Sequence, residues 1–309
     1  SWQNTFMSAD KETTEFDPAL LSGPTEADTS TPWSFNGSGI ELAAQSHCGH
    51  VRKGNEDRFV VIRRTRSGEV LATNLNDALP PDTQHAWLLA VADGLGGEVA
   101  GDVASEIAIR TLVEFASGLG SWIMRPTDGL REDFAERVDL YIKAIQRELR
   151  LAAQADPNVS GMATTLTVVY VFGKSAIVVN VGDSRSYLIR SNQMFQVTQD
   201  HTVAQDMLNE GHSQDAARPF RNVLTRCFTA DSQPMSIDLF HINLKAGDQF
   251  LLCSDGLSDM VDDDVILKIA TSGSSTASQC ERLVGAALTA GGRDNVTVIS
   301  ARIVDLNPA

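Results

Sequence analysis

The chain has 309 residues, and its 40 acidic residues outnumber 25 Lys and Arg to give a formal net charge of −15. This length allows one large domain or two modest ones, with a sizeable core in either case. The acidic excess argues against nucleic acid, because phosphate backbones bind clustered Lys and Arg, and equally against an anionic membrane surface. We therefore expect neither partner.

Residues 1–38 are rich in Thr, Ser and Pro and hold six acidic residues against one Lys, with no sustained hydrophobic period. This pattern is typical of a flexible acidic tail, which Trp33 and Phe35 could pin to the body. No signal-peptide pattern and no apolar run long enough to span a membrane is visible, so we expect a cytoplasmic protein. Four scattered cysteines without a CxxC pair are expected to be reduced thiols.

From residue 40 the pattern is globular. Short apolar runs predict buried strands over 59–62 and 87–92, and the polar segment 63–85 between them predicts a hairpin extension or a long loop. Apolar residues at three- and four-residue steps predict helices over 97–116, with Val99 among the inward-facing residues, and over 130–153.

The second half of the chain continues with strands, then helices, then a last strand. Strands are predicted over 164–171, 176–181, 187–190, 194–197, 236–244, 249–253 and 295–303. Helices are predicted near 202–210, 262–270 and 278–288. Strands grouped in this way favour an α+β layered domain over a parallel βαβ array.

Four aspartates lie at the ends of predicted strands. Asp93, Asp183 and Asp255 follow apolar runs and adjoin a glycine, and Asp294 directly precedes the last strand. Any one of them is explained as a turn residue. If the strand ends share one edge of the core, however, the four carboxylates converge and need a cation to offset their repulsion.

Oxygen-only ligands favour Mg²⁺ or Mn²⁺, and the absence of His or Cys at zinc spacing in this sequence makes zinc less expected. A two-metal carboxylate site can activate water for attack on phosphorus. Arg52 is a candidate phosphate clamp because its planar fork binds phosphate oxygens in pairs, although a solvated surface role is the alternative.

Together these motifs resemble the type 2C metal-dependent serine/threonine protein phosphatases, and the bacterial members in particular. The resemblance covers roughly residues 40–304. The matching segments, in family order, are Arg52 with 55–57, 91–97, 161–166, 181–185, 199–201, 224–226, 253–257 and 292–297.

The resemblance implies a four-layer αββα sandwich over residues 39–305, in which two antiparallel sheets are flanked by helix pairs and 201–235 forms a flap subdomain. It also implies a metal centre that holds two Mn²⁺ or Mg²⁺ ions and a third, weaker one. Asp93 would bridge the core pair, Asp255 and Asp294 would complete the first ion, and the Gly94 carbonyl would contact the second. Asp183 would hold the third ion with Asp255.

The implied reaction is hydrolysis of phosphoserine or phosphothreonine on proteins by a metal-bridging hydroxide, without a covalent intermediate. Glu56 and Asp57 would act through metal-bound waters, and Arg52, Asp57 and Asp93 would be the catalytic residues. Some family members place a proton-donating His where this chain has Leu95. His201 is one candidate replacement, with a structural role as the alternative.

The expected partner is a phosphorylated protein, with a Ser/Thr kinase or its targets as candidates, and we expect a monomer. The alternative is a catalytically silent pseudophosphatase that binds a phosphoprotein or a kinase. Fold and metal site do not identify the substrate protein.

Overall fold

The computed structural model describes residues 31–68, 82–118, 130–231 and 235–306. The predicted tail up to residue 30 and the centre of the 63–85 segment therefore lie outside the described residues. None of the described helices combines the length and the apolarity that crossing a bilayer requires.

The described strands, in chain order, are β1 Trp33–Gly37, β2 Ile40–His47, β3 Arg58–Gly68, β4 Asp82–Ala92, β5 Gly94–Leu95, β6 Ala163–Thr164, β7 Leu166–Phe172, β8 Ser175–Val181, β9 Arg185–Arg190, β10 Gln193–Gln196, β11 Phe228–Thr229, β12 Asp238–Asn243, β13 Gln249–Cys253 and β14 Val296–Ile303. The helices are α1 Glu98–Gly118, α2 Leu130–Ala155, α3 Val203–Asn209, α4 Gln214–Ala217, α5 Asp255–Ser258, α6 Asp263–Ala270 and α7 Thr276–Thr289.

Two antiparallel sheets form the centre of the molecule. The first has the strand order β1-β2-β14-β13-β9-β10, and the second has the order β12-β8-β7-β4-β3. A small third sheet, β11-β6-β5, joins the second half of the predicted flap segment to the end of β4. The α+β class predicted from the grouping of strands is confirmed.

Side chains point alternately to the two faces of each strand, and they form three separate hydrophobic clusters between the layers of the sandwich. In β4, Leu88 and Ala90 face the helices α1 and α2, whereas Leu89 and Val91 face the other sheet. This split follows from the two-residue period of a strand whose faces are both buried. The outer face of the first sheet packs on α6 and α7 through residues such as Leu283. The layers therefore stack as helices, sheet, sheet and helices, which is the predicted αββα order.

Helix α1 lies close to its sheet because its buried stripe consists of small residues. Ala100, Ala104 and Ala108 are 4% exposed or less, whereas Val99 is 65% exposed. The expectation that Val99 faces inward is therefore wrong. The alanines, spaced four residues apart, occupy the buried face instead. Their small side chains allow the helix backbone to lie closer to the sheet than valine would.

The strand β1 lies within residues 1–38, in the part of the predicted tail that Trp33 and Phe35 were expected to pin to the body. Its five residues pair with β2, and the Phe35 ring lies 5.1 Å from that of Trp87. Arg63 stacks over the same Phe35 ring at 5.2 Å. These contacts hold the 33–37 segment on the sheet, because the Phe35 side chain is partly buried against the core rather than fully solvated.

The remaining predicted elements correspond to observed ones, with ends that differ by a few residues. The β3–β4 pair extends to Gly68 and Asp82, so the 63–85 segment begins and ends as a hairpin extension. The four cysteines are free, as expected. Sequence reasoning did not predict β2 as a separate strand, nor the two-residue strands of the small sheet.

Candidate metal centre

The strand topology brings the four aspartates to one end of the sheets. Because β13 and β14 are antiparallel, the end of β13 that leads into Asp255 adjoins the start of β14, which follows Asp294. Asp93 connects β4 to β5, and Asp183 follows β8 after a single glycine. Aspartates that are far apart in the sequence therefore share one edge of the sandwich.

The carboxyl groups of the cluster perturb one another. Burial raises the pKa of Asp93 well above its ordinary value, and the charges of Asp255, Asp57, Asp183 and Asp294 raise it further. Burial followed by the charge of Asp183 likewise raises the pKa of Asp255. The pKa of Asp183 is raised to about 7 by burial and then by Asp200. Such mutual shifts occur only when carboxylates are close in a poorly solvated site.

These residues fit a divalent cation that binds through oxygen. Asp255 Oδ1 and Asp57 Oδ1 are buried and have no hydrogen-bond partner among the described residues. An unpaired buried carboxylate oxygen is costly unless a cation or a donor meets it. In the described ranges, no three acidic, His or Cys side chains already converge on one point as a finished metal cage. The side chains thus supply oxygen ligands that lie near one another but do not yet form a coordination shell around one point.

The backbone at Asp93 is fixed by two threonines. The amide of Asp93 donates to Thr165 Oγ1 at 3.0 Å, and its carbonyl accepts from the Thr165 amide at 2.9 Å and from the Thr164 hydroxyl at 2.9 Å. The Asp93 backbone is thereby fixed at the end of β4, while no side chain of the described residues donates a hydrogen bond to its carboxylate. Both threonines lie in the 161–166 motif, but their role in fixing Asp93 was not predicted from the sequence.

The residue after Asp93 has to be a glycine, because the chain passes directly against the helix α1 at this point. A Cβ at Gly94 would lie 2.1 Å from the Gly101 carbonyl oxygen of α1, which leaves no room for a side chain. Gly256 is similar, since its Cβ would lie 1.8 Å from the carbonyl oxygen of Asn295. The second contact presses the Asp255 turn directly against the Asp294 turn.

Arg52 lies in the loop between β2 and β3 and reaches the cluster. Its Nη2 donates to Asp294 Oδ2 at 2.6 Å, and this hydrogen bond raises the pKa of the guanidinium. The Arg52 side chain is 49% exposed, so its other nitrogens remain accessible. The structure thus places a permanent cation at the mouth of the carboxylate cluster, which argues against the alternative of an isolated surface residue.

Glu56 and Asp57 are both buried beside the cluster. The Glu56 amide donates to Asn295 Oδ1 at 2.8 Å, and the Glu56 carbonyl accepts from Ser105 Oγ at 2.6 Å. Asp57 Oδ2 accepts from Ser254 Oγ at 2.7 Å. Burial raises the pKa of Asp57 to about 6, and the Ser254 bond partly offsets that effect.

The sequence analysis missed the supporting roles of Asn295, Ser254 and Ser105. Two of them directly flank the strand-end aspartates, and that adjacency was the available signal. Asn295 Nδ2 also donates to the carbonyls of Cys48 and Gly54, at 2.9 Å each, so one side-chain amide ties three points of the β2–β3 loop to the turn at Asn295.

Leu95 lies in the two-residue strand β5. Its apolar side chain cannot donate a proton. His201, the other candidate acid, is 2% exposed and uses both ring nitrogens. Its Nδ1 accepts from the Gly182 amide at 3.1 Å, and its Nε2 lies 3.1 Å from Asp238 Oδ2. The structure therefore supports the structural role for His201 rather than proton donation to a substrate.

The predicted flap segment contains the predicted helix α3 and, in addition, α4. Near its end, Asn222 Nδ2 donates to Asp259 Oδ2 at 3.1 Å, and Arg221 lies 3.5 Å from the same oxygen. Asp259 in turn raises the pKa of Asp183 and Asp255. The segment is thus anchored next to the carboxylate cluster.

Comparison with known proteins gives consistent matches. The protein phosphatase 2C family model matches residues 71–289. The chain is 33% identical over 269 residues to the serine/threonine protein phosphatase PstP of Mycobacterium tuberculosis, a match that covers 86% of this chain and 45% of that protein. It is 32% identical to the serine/threonine phosphatase stp of Listeria innocua, over 69% of this chain and 82% of that protein.

A solved structure adds a metal to the comparison. The catalytic domain of PstP in complex with two manganese ions superposes with a TM-score of 0.67 at 32% identity, and the match covers 86% of this chain and 99% of that one. This chain therefore spans less than half of the full-length mycobacterial protein but nearly all of its solved catalytic domain.

Proposed function

The chain belongs to the protein phosphatase 2C family, and from this premise we propose that it is a metal-dependent phosphatase that hydrolyses phosphoserine and phosphothreonine on proteins. The observation that carries the proposal is the mutually perturbed carboxylate cluster at one sheet edge, with Arg52 at its mouth. Perturbed titratable groups that converge in this way are characteristic of functional sites.

Asp93, Asp255 and Asp294, with the Gly94 carbonyl, would hold two core ions, and Asp183 with Asp255 would hold a third, weaker ion. When bound, Mn²⁺ or Mg²⁺ would supply a water of lowered pKa as the nucleophile and positive charge for the phosphate oxygens. Manganese is the ion named for the solved relative. Glu56 and Asp57 would orient the metal-bound waters from the buried side of the cluster.

Arg52 would bind the substrate phosphate with the guanidinium nitrogens that do not contact Asp294. Its raised pKa keeps it charged at every working pH, and its exposure leaves it reachable from solvent. A planar guanidinium can contact two phosphate oxygens at once, which holds the phosphorus in a fixed position for in-line attack.

Attack by water without a covalent enzyme intermediate agrees with the burial and protonation of Cys253, the thiol two residues before Asp255. Cys253 is fully buried in β13, and burial raises the pKa of its thiol to about 12. A protonated, enclosed thiol is a poor nucleophile. Cys253 is therefore not proposed as a nucleophile.

The natural substrate would be a phosphoprotein, with a Ser/Thr kinase or its targets as candidates, in a cytoplasmic signalling role and with the chain acting as a monomer. The catalytically silent alternative is not favoured, because all four strand-end aspartates and Arg52 are present. A silent relative would be expected to have lost at least one of them.

The experiment that tests the function is phosphate release from a phosphoserine peptide with the purified chain, in millimolar Mn²⁺ and in excess chelator. We expect turnover with Mn²⁺ and none above background with chelator. Peptide binding without turnover in Mn²⁺ would instead identify the silent alternative. Equal turnover in both solutions would contradict a metal-dependent mechanism.

A further inference from the structure

A hydrogen-bond chain, buried at His201 and partly exposed at Asp238 and Arg226, links the flap segment to the loop that carries Asp183. It begins at Arg226 Nη1, which donates to Asp238 Oδ1 at 3.0 Å. The other oxygen of Asp238 faces His201 Nε2 at 3.1 Å, and His201 Nδ1 accepts from the Gly182 amide at 3.1 Å. Because Nδ1 accepts, the proton of the neutral ring lies on Nε2 and is donated to Asp238.

We propose that His201 is a positioning residue for Asp183, and that its two hydrogen bonds join the flap segment to the third cation site. The inference rests on the proposed function, since the cation role of Asp183 belongs to that proposal. It assigns to His201 neither contact with substrate nor transfer of a proton.

The loop at Asp183 needs such a support because the chain turns there at a glycine with positive φ. Gly182 has φ +112°, and a Cβ there would lie 2.5 Å from the Thr165 side chain. Glycine reaches this conformation without strain and is equally free to leave it, so contacts around the loop have to fix it. His201 meets the Gly182 peptide on both sides: the ring accepts from the amide, and the His201 amide donates to the Gly182 carbonyl at 3.0 Å.

The carboxylate that follows is also under electrostatic pressure. The charges of Asp200 and Asp259 act against Asp183, and Arg185 is the favourable charge nearby. Arg185 is itself held by Asp200, through a 2.6 Å bond from Nη2. Without a fixed peptide at Gly182, the Asp183 carboxylate would be pushed toward solvent and away from Asp255.

The flap segment shares this support at two points. The Thr225 amide donates to the His201 carbonyl at 2.8 Å, and Arg226 holds the outer face of Asp238. A shift of the flap segment therefore acts on the same histidine that fixes Gly182. This continuity is the structural basis for coupling flap position to cation binding at Asp183.

Two substitutions separate the two hydrogen bonds of His201. In His201→Asn the amide oxygen replaces Nδ1 and can still accept from Gly182, whereas the contact with Asp238 is lost. In His201→Gln the longer side chain reaches Asp238 but no longer presents an acceptor at the Nδ1 position. His212→Asn, at an exposed histidine of the same segment, is the matched control.

The measurement is the number and affinity of Mn²⁺ ions bound without substrate, by titration calorimetry on the full chain, with the melting temperature recorded for each variant. We expect three ions in the unaltered chain and in His212→Asn. In His201→Gln the weakest site should lose about tenfold or more in affinity, with the two tighter sites unchanged. His201→Asn should stay within about threefold, because it keeps the Gly182 bond.

Equal affinities of the weakest site in both variants would overturn the inference, as would binding of only two ions by the unaltered chain. If neither His201 variant folds, Asp238→Ala, at a partly exposed position, carries the test. Without Asp238 as the acceptor from Nε2, the ring proton is free to move to Nδ1, which then no longer accepts from Gly182. An unchanged third site in Asp238→Ala would therefore contradict the inference. Failure of the unaltered chain to bind any Mn²⁺ would instead contradict the proposed function.

Discussion

Asp93→Asn is expected to reduce Mn²⁺-dependent hydrolysis of a phosphoserine peptide by more than about a hundredfold, since changes of residues that merely support metal ligands already cost about ten- to a hundredfold. Asp93 lies at the centre of the carboxylate cluster, and four other acids perturb its pKa. The amide is nearly isosteric, so the fold is retained while the ligand charge is lost. The check is kcat measured with saturating Mn²⁺.

Asp264→Asn serves as the matched control, because Asp264 is an exposed residue in the first turn of α6, outside the cluster. It should retain the turnover of the unaltered chain. Turnover of the Asp93→Asn variant close to that of this control would show that the cluster does not carry the reaction.

The second large effect concerns stability. In chelator, the free energy of unfolding should rise as the pH falls from about 7.5 to about 5. The pKa values of Asp57, about 6, and of Asp183, about 7, lie above the ordinary value of 3.8, so the folded chain binds protons more tightly than the unfolded one. Stability from these groups is therefore present at low pH and lost as the pH rises through 6 to 7.

Saturating Mn²⁺ should reverse the slope, because the ions compete with protons for the same oxygens and stabilise the folded chain at neutral pH. At a hundredfold excess over the dissociation constant, we expect a stabilisation of about 2.7 kcal/mol and a melting temperature about 5–10 °C higher than in chelator. Differential scanning calorimetry at several pH values measures both effects.

The comparison variant for stability is Asp255→Asn. It removes one of the repelling charges, so in chelator at neutral pH it should melt at a higher temperature than the unaltered chain, while its response to Mn²⁺ should largely disappear. A lower melting temperature in chelator would mean that Asp255 is stabilised by contacts other than a cation.

The strand ends that form the site were predictable from the sequence because the signal is local. A continuous apolar run followed by an Asp next to a Gly marks a buried strand that stops, and the repetition of this pattern at Asp93, Asp183 and Asp255 made a shared edge a testable expectation. A different local signal, the three- and four-residue spacing of apolar residues, located the helices α2 and α7 to within a few residues.

The supporting contacts were not predictable, because they join residues far apart in the chain. Ser254 bonds Asp57 across 197 positions, and Arg52 bonds Asp294 across 242. No local pattern distinguishes these pairs from other polar residues. The role of His201 stayed open in the sequence for the same reason, since it depends on Gly182 and Asp238, which only the sheet topology brings together.

The alanine face of α1 and the strand β1 show a second limit. Val99 was assigned to the buried face from the hydrophobic period, and packing decided otherwise. The 33–37 segment was assigned to the acidic tail from its composition, with Trp33 and Phe35 as residues that could pin it to the body, and the structure shows both of them packed on the core. Small residues selected the contact face of α1, and one aromatic pair, Phe35 with Trp87, outweighed the polar composition around β1.

The central claim is that the aspartates at the sheet edge bind catalytic cations, and crystals grown with Mn²⁺ test it most directly through anomalous scattering at the manganese edge. We predict at least two peaks within coordination distance of the carboxylates of Asp93, Asp255 and Asp294, about 2.0–2.6 Å from their oxygens. Fully occupied Mn²⁺ elsewhere on the chain, with no peak at this cluster, would contradict the account.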